Sequence, residues 1–353
     1  MFKDFGRVGR KISRIGTRFG AWLKVRMATQ HLSGPRKIKL DDDDVALVCL
    51  LKNGSYYVDD LLAHHRALGI KSFLFIDNGS DDDTCAKLAA HSDVTTVSNT
   101  LPVARFETRL RSQIARNTVK GGWFLFVDSD ELFEFINGAG RTIQDYTRYC
   151  SDHGFDAVVA QYLDLVSDCP LSETSDWSFK KSISEFHWYS LNCIENFDYH
   201  DQAVGFAWFL RSNTISNPDI KMKYGGIRKE LFGENPSLSS HRLVKNARHI
   251  TIYSHPHSSS NVNCADFSML LRHYKFAGDY YARERRQLDD KIWDHGEDER
   301  RMAVINDRSF VFSAAQLHRF DAADQLVDQG FLHCSQAFLS RFPPVSGSGK
   351  EQA

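Results

Sequence analysis

The feature that most constrains this chain is a series of short, continuously apolar runs separated by segments of helical spacing. Val45–Leu51 (VALVCLL), Ser72–Ile76 (SFLFI) and Trp123–Val127 (WFLFV) are too short for buried helices of ordinary length and lack the alternation of a half-exposed strand. They read as strands covered on both faces. Between them, Tyr56–Leu68 places Tyr57, Leu61, Leu62 and His65 at helical spacing and stops at Gly69. Thr84–Ala90 and Phe106–Val119 read as further helices, and Val94–Val97 as a short strand. Strands alternating with helices predict an α/β fold with a mostly parallel sheet flanked by helices. Ala157–Tyr162 and His249–Tyr253 are expected to add strands. Residues 264–340 read as a helical C-terminal region.

In such sheets ligands bind beyond the carboxyl ends of the strands. Three polar clusters fall there: Lys52-Asn53, Asp77-Asn78-Gly79-Ser80 and Asp128-Ser129-Asp130. They come from separate parts of the chain but are expected to meet on one sheet edge. Two carboxylates at i and i+2 just past a strand can both face a cation. Hard divalent ions such as Mg2+ or Mn2+ take oxygen ligands and keep phosphate oxygens and waters in their shell. Asp77 can accept a hydrogen bond from a nucleobase imide or simply shape the Asn-Gly turn. No GKS/T loop is present and no GxGxxG follows the first strand, which disfavours Walker-type and dinucleotide sites.

Charge divides the chain of 353 residues. Residues 1–39 carry eleven Lys/Arg and one acid, Asp4, so the remaining 314 hold 33 basic and 44 acidic groups. A net formal charge of -1 argues against a dedicated nucleic-acid protein. Phe5, Val8, Ile12, Ile15, Phe19 and Trp22/Leu23 recur every three or four residues among the basic ones. That pattern describes a basic amphipathic helix able to lie on an anionic membrane surface, with a solvated tail or an organellar targeting segment as alternatives. No apolar stretch is long enough to span a membrane, and the N-terminus lacks the apolar core of a secretory signal. Seven scattered cysteines without a CxxC pair read as reduced thiols, and the expected location is cytoplasmic, peripheral on the inner face of the cell membrane. The expected organisation is a basic arm (1–40), a catalytic domain (41–262), a helical extension packed on it (263–340) and a disordered tail (341–353).

The segment LVCLLKNGSYYVDDLLAHHRALGIKSFLFIDNGSDDDT, followed by WFLFVDSDELFEF, resembles the family-2-type glycosyltransferases of the GT-A, Rossmann-like fold. The subgroup it is most similar to is bacterial and carries a KNE–LxxHxxLG–DNGSxDxT–DxDEF pattern. A weaker likeness runs through Gly225-Gly226-Ile227-Arg228-Lys229-Glu230-Leu231-Phe232, His255 and Leu271–Phe276, so that it spans about residues 45–285. Gly54 stands where the family has Glu, and Asp81-Asp82-Asp83 makes the second loop more acidic than usual.

The resemblance implies a nucleotide-diphosphate sugar donor, UDP-sugar favoured, and a divalent metal, Mn2+ or Mg2+. It implies that Asp77 holds the base, Asp128 the ribose or a metal water, and Asp130 the metal, with Lys52, Asn53 and Asn78 lining the nucleotide pocket. Arg228 is a candidate for the diphosphate, and His255, with His257 as fallback, for a third metal ligand. Glu230 and Glu234 are candidates for the base that activates an acceptor hydroxyl in an inverting displacement. The implied acceptor is a glycan or lipid-linked glycan, as in cell-surface polysaccharide or glycoconjugate synthesis. The alternatives are a phosphohydrolase or phosphotransferase using Asp128 as nucleophile, and a catalytically silent membrane-associated scaffold. Arg109, Arg111, Gln113 and Arg116 read as a solvated helix face, and His273 and Tyr274 as part of a helical aromatic core stripe.

Overall fold

The computed structural model describes residues 19–290 and 297–344. Its centre is a ten-stranded sheet. The strands are β1 (Gln30–Ser33), β2 (Val45–Leu51), β3 (Ser72–Asp77), β4 (Val94–Ser98), β5 (Trp123–Val127), β6 (Glu131–Glu134), β7 (Ala157–Asp164), β8 (Thr214–Ile215), β9 (Ser239–Lys245) and β10 (Asn263–His273). Their spatial order is β1-β4-β3-β2-β5-β9-β7-β10-β8, with β6 pairing on β10. The run β4-β3-β2-β5 is parallel, as are β7-β10 and β10-β8, whereas β9 is antiparallel to both its neighbours.

The apolar runs form strands because helices cover both faces. Leu47, Cys49 and Leu51 point into one core and Ala46, Val48 and Leu50 into the other, as the two-residue period of a strand requires. Helix α2 (Val58–Ala67) covers the first face with Val58, Leu61 and Leu62. Helix α4 (Val103–Thr118) covers the second with Phe106, Leu110 and Ile114. Between them lies α3 (Thr84–Ala89).

Four boundaries differ from the sequence reading. Residues 19–40 belong to the domain: α1 (residues 19–28) buries Val25 completely, and β1 pairs antiparallel with β4. The stretch read as the first turns of a helical extension is the eleven-residue strand β10, parallel to β7 and antiparallel to β6. Ala265, Phe267, Met269 and Leu271 alternate into one core, a period that the helix-like spacing of Leu270, His273 and Tyr274 obscured. The strand read at 249–253 runs from Thr251 to His255 and pairs only with Ser258–Ser260, outside the main sheet. At the C-terminus Phe342 is buried and stacks on Tyr146 at 4.6 Å, so packed structure continues past 341. Residues 1–18, which hold most of the predicted amphipathic arm, and 345–353 lie outside the described residues.

Candidate active site

The parallel register brings the three polar clusters to one edge. Asp77, the last residue of β3, sits beside Leu51, the last of β2, and Val127, the last of β5, sits beside Cys49. With strands about 4.8 Å apart, the loops after β3, β2 and β5 form one rim.

Two of those loops are stitched together. Asn53 takes a left-handed backbone conformation (φ 55°), its N–H donates to Ser80 Oγ (2.8 Å), and its Oδ1 accepts from Asp81 N (3.0 Å). Gly54 N donates to Thr84 Oγ1 (2.8 Å). Buried Asp77 accepts from Gly79 N and Ser80 N, both at 3.1 Å, so its carboxylate shapes the turn. Asn78 Nδ2 ties that turn to Asn99 O and Leu101 O. Lys52 is exposed at the rim.

The two aspartates after β5 have different surroundings. Asp128 pairs with Arg111 of α4 and lies 3.8 Å from Arg242 of β9, which in turn holds Glu131 at 3.1 Å. Burial opposes ionisation of Asp128, but the two guanidinium groups outweigh it and lower the pKa. Glu131 is fully buried and accepts from Asp128 N (2.8 Å). Burial raises its pKa to about 7 against the pull of Arg242. Arg111 is therefore a buried partner and not part of a solvated face. Arg116 likewise donates to the Ala247 and Ile250 carbonyls.

Asp130 faces His273, the last residue of β10. Its Oδ2 lies 3.5 Å from His273 Nε2, and His273 Nδ1 lies 2.6 Å from Asp164 Oδ1 at the end of β7. Asp164 Oδ2 accepts from Arg228 Nε at 2.8 Å. These four side chains form a row of alternating charge. Burial disfavours the His273 imidazolium, but Asp130 and Asp164 overcome this and raise its pKa to about 9. The imidazolium, Lys275 and Arg283 in turn overcome burial at Asp130 and hold its carboxyl below the usual range. His273 thus ends a strand beside Asp130 and is not part of a helical core stripe.

Among the described residues, no group of three His, Cys, Asp or Glu side chains is arranged to hold a metal. The Asp130 carboxylate is partly open and the His273 imidazolium faces it through Nε2; a cation bound at Asp130 would displace the Nε2 proton and leave Nδ1–H fixed by Asp164, a familiar outer-shell arrangement. A carboxylate of this kind suits a hard divalent cation, which takes oxygen ligands and would need others from outside the protein.

The histidine the structure sets beside Asp130 is His273, where the sequence reading had chosen His255. His255 packs against the rings of Phe206 (5.0 Å) and Phe209 (5.2 Å), accepts at Nδ1 from His257 N, and is lowered by burial to about 4. His257 is lowered to about 3, chiefly by burial, and its Nδ1 is buried without a hydrogen-bond partner.

Arg228 is engaged by Asp164 through Nε, and its two Nη groups make no hydrogen bond among the described residues. Glu234 is buried in an ion pair with Arg301 (2.8 Å), which also holds Glu284 and Asp298. Glu230 accepts from Ser190 Oγ (2.8 Å) and Ala315 N (2.6 Å). Sequence reasoning missed Asp164 although a readable signal was present: it ends the apolar run AVVAQYLD as Asp77 ends SFLFID. Arg242 gave no such signal.

No protein-family model and no curated protein sequence matches the chain. Among solved structures, 34% of it is similar to S. aureus TarS, with 17% identity, a TM-score of 0.27 and 22% of that chain covered. The same share is similar to glucosyl-3-phosphoglycerate synthase from Mycobacterium tuberculosis in complex with Mn2+, uridine diphosphate and glucosyl-3-phosphoglycerate, with 16% identity, a TM-score of 0.25 and 44% of that chain covered. The chain thus spans less than half the length of either protein. The functional reading rests on the site's own geometry.

Proposed function

We propose that the protein is a metal-dependent glycosyltransferase of the GT-A type that moves a sugar from a nucleotide-diphosphate donor, a UDP-sugar, to a glycan or lipid-linked acceptor with inversion. The observation that carries this reading is the convergence of Asp77, Asp128 and Asp130 at the carboxyl ends of β3 and β5, parallel strands on either side of β2, with Asp130 ionised and partly open. The phosphohydrolase alternative asks Asp128 to attack as a free nucleophile, whereas Arg111 and Arg242 engage its carboxylate.

In this proposal the rim of Lys52, Asn53, Asp77 and Asn78 receives the nucleotide. Asp130, with His273 beside it, holds Mn2+ or Mg2+, which when bound neutralises charge on the departing diphosphate. The Nη groups of Arg228 point the same chemistry at a phosphate oxygen, with Asp164 fixing the guanidinium. Arg111 and Arg242 orient Asp128 for the ribose. The acceptor hydroxyl needs a base. Glu234 is taken out of that role by Arg301, so Glu230 remains the candidate. Residues 1–30 are proposed to hold the enzyme at an anionic membrane surface, where a lipid-linked acceptor lies. The described helices include none long and apolar enough to cross a membrane.

A thermal-shift screen of UDP, GDP, CMP and TDP, each with and without Mn2+, tests the reading. UDP with Mn2+ is expected to raise the unfolding midpoint by mass action, equivalent to about 2.7 kcal/mol at a hundredfold excess over Kd. No shift with any nucleotide would sink it.

A further inference from the structure

Seven large apolar side chains are exposed among the described residues, and four of them lie within one short stretch: Phe19, Leu23, Met27 and Leu32. The first three are spaced by four residues and share one face of α1. Val25, well round the helix from them, is completely buried in the core beneath α4. The helix is therefore anchored on one side while a second, apolar side is left open; Met27 is 76% exposed.

Beside α1 runs a groove of about 470 Å3, lined among others by Trp22, Arg109, Gln113, Arg116, Arg248 and Ile250. None of its lining residues is acidic. Arg116 is tied to backbone carbonyls, but Arg109 and Arg248 make no hydrogen bond or ion pair among the described residues. Gln113 donates to Trp22 O (2.9 Å), and its own Oε1 is buried without a partner. Trp22, which lines the groove, stacks on Phe19 (5.9 Å), so the basic groove borders the exposed stripe at that end. In sequence the apolar stripe of α1 continues the spacing of Phe5, Val8, Ile12 and Ile15, which are interleaved with Arg7, Arg10, Lys11, Arg14 and Arg18.

We infer that this folded face docks on an anionic lipid bilayer, with Phe19, Leu23 and Met27 entering the acyl boundary and Arg109 and Arg248 receiving headgroup phosphates at the groove. The inference rests on the membrane reading of residues 1–30 and extends it to a surface of the folded domain. It is independent of the reaction catalysed. Like charge favours the bilayer over a second copy of the chain, because self-association through this face would bring two sets of arginines together. Apolar contact and headgroup attraction are the two forces that hold interfacial helices at a membrane.

The test is sedimentation of the full chain with vesicles of phosphatidylcholine alone and of phosphatidylcholine mixed with phosphatidylglycerol. Wild-type protein should bind the anionic vesicles, not the neutral ones, and should be released by salt. R109E/R248E should weaken binding by about twenty-fivefold or more, taking roughly fivefold for each basic group lost. F19S/L23S/M27S should weaken it while leaving the unfolding midpoint in place. If wild-type protein ignores anionic vesicles, the groove and the arm readings both fall. If it binds but R109E/R248E binds equally well, the groove assignment alone is overturned. A concentration-dependent dimer that F19S/L23S/M27S abolishes would overturn the proposal in favour of a second copy.

Discussion

Asp128 and Asp130 stand two residues apart, yet their substitution should have different consequences. Asp130 is partly open and faces a histidine that Asp164 also holds. Asp130→Ala should therefore keep the fold and lose donor turnover by about a hundredfold or more, the usual cost of removing a preorganised electrostatic group. Turnover at the wild-type rate would show the metal site to be misplaced. Asp128→Ala removes the nearer of the two carboxylate partners of Arg111, whose side chain is 4% exposed. A buried cation left without a partner costs several kcal/mol, reduced here because Glu107 stays 3.4 Å from Arg111 and Asp128 itself is 41% exposed. A loss of about 1–3 kcal/mol in urea unfolding is expected, and an unchanged midpoint would contradict the clamp. Both aspartates were legible in the sequence because each follows an apolar strand. The arginines were not, because the partners of a buried ion pair are brought together by the fold and carry no local pattern.

At the scale of elements, three of the first four parallel strands, β2, β3 and β5, could be read directly, since burial on both faces forces a continuous apolar run. Strand β9 (SSHRLVK) was invisible because four of its six buried residues are polar: Ser239 is satisfied by Gln161, and Arg242 by Glu131. Strand β10 was hidden because a long apolar stretch satisfies helical and strand periods at once. The Gly225-Gly226 turn precedes the helix that carries Arg228. Gly225 has φ 93°, and a Cβ there would overlap the Cys193 carbonyl oxygen. Gly225→Ala should lower stability by about 2 kcal/mol or more in chemical unfolding, because strain and overlap add. A cost below about 0.5 kcal/mol, typical of a surface change, would mean that the turn is not fixed as described. Residues 19–40 belong to the folded domain. Deletion of 1–33 would strip α1 and β1 from the sheet and expose the core beneath Val25.

For the whole molecule, buried and half-buried histidines set the response to acid. His64, His241 and His255 are lowered to about 4 and His257 to about 3, each chiefly by burial. A histidine whose folded pKa lies below its unfolded value near 6.5 gives stability that is complete above 6.5 and is lost as pH falls toward 4. Glu131, raised to about 7, works in the opposite sense over part of that range, as do Glu134 and Glu234, raised by burial, and His273, but they stand against six lowered histidines once His65 and His333 are added. The unfolding midpoint should therefore fall between pH 7 and pH 4.5, and His241→Gln should make the fall shallower. A flat profile would contradict the burial of these rings. Low folded pKa values also remove His255 from any titration near 6.5. The central claim is that the rim beyond β3, β2 and β5 binds a nucleotide sugar through Asp130 and a divalent cation. Its most direct test is release of nucleoside diphosphate from a panel of nucleotide sugars by wild-type and Asp130→Ala protein, each with Mn2+ and with EDTA. The account predicts release from a UDP-sugar by wild-type protein with Mn2+, and almost none with EDTA or from Asp130→Ala. Release by Asp130→Ala at the wild-type rate, or no release from any donor, would contradict it.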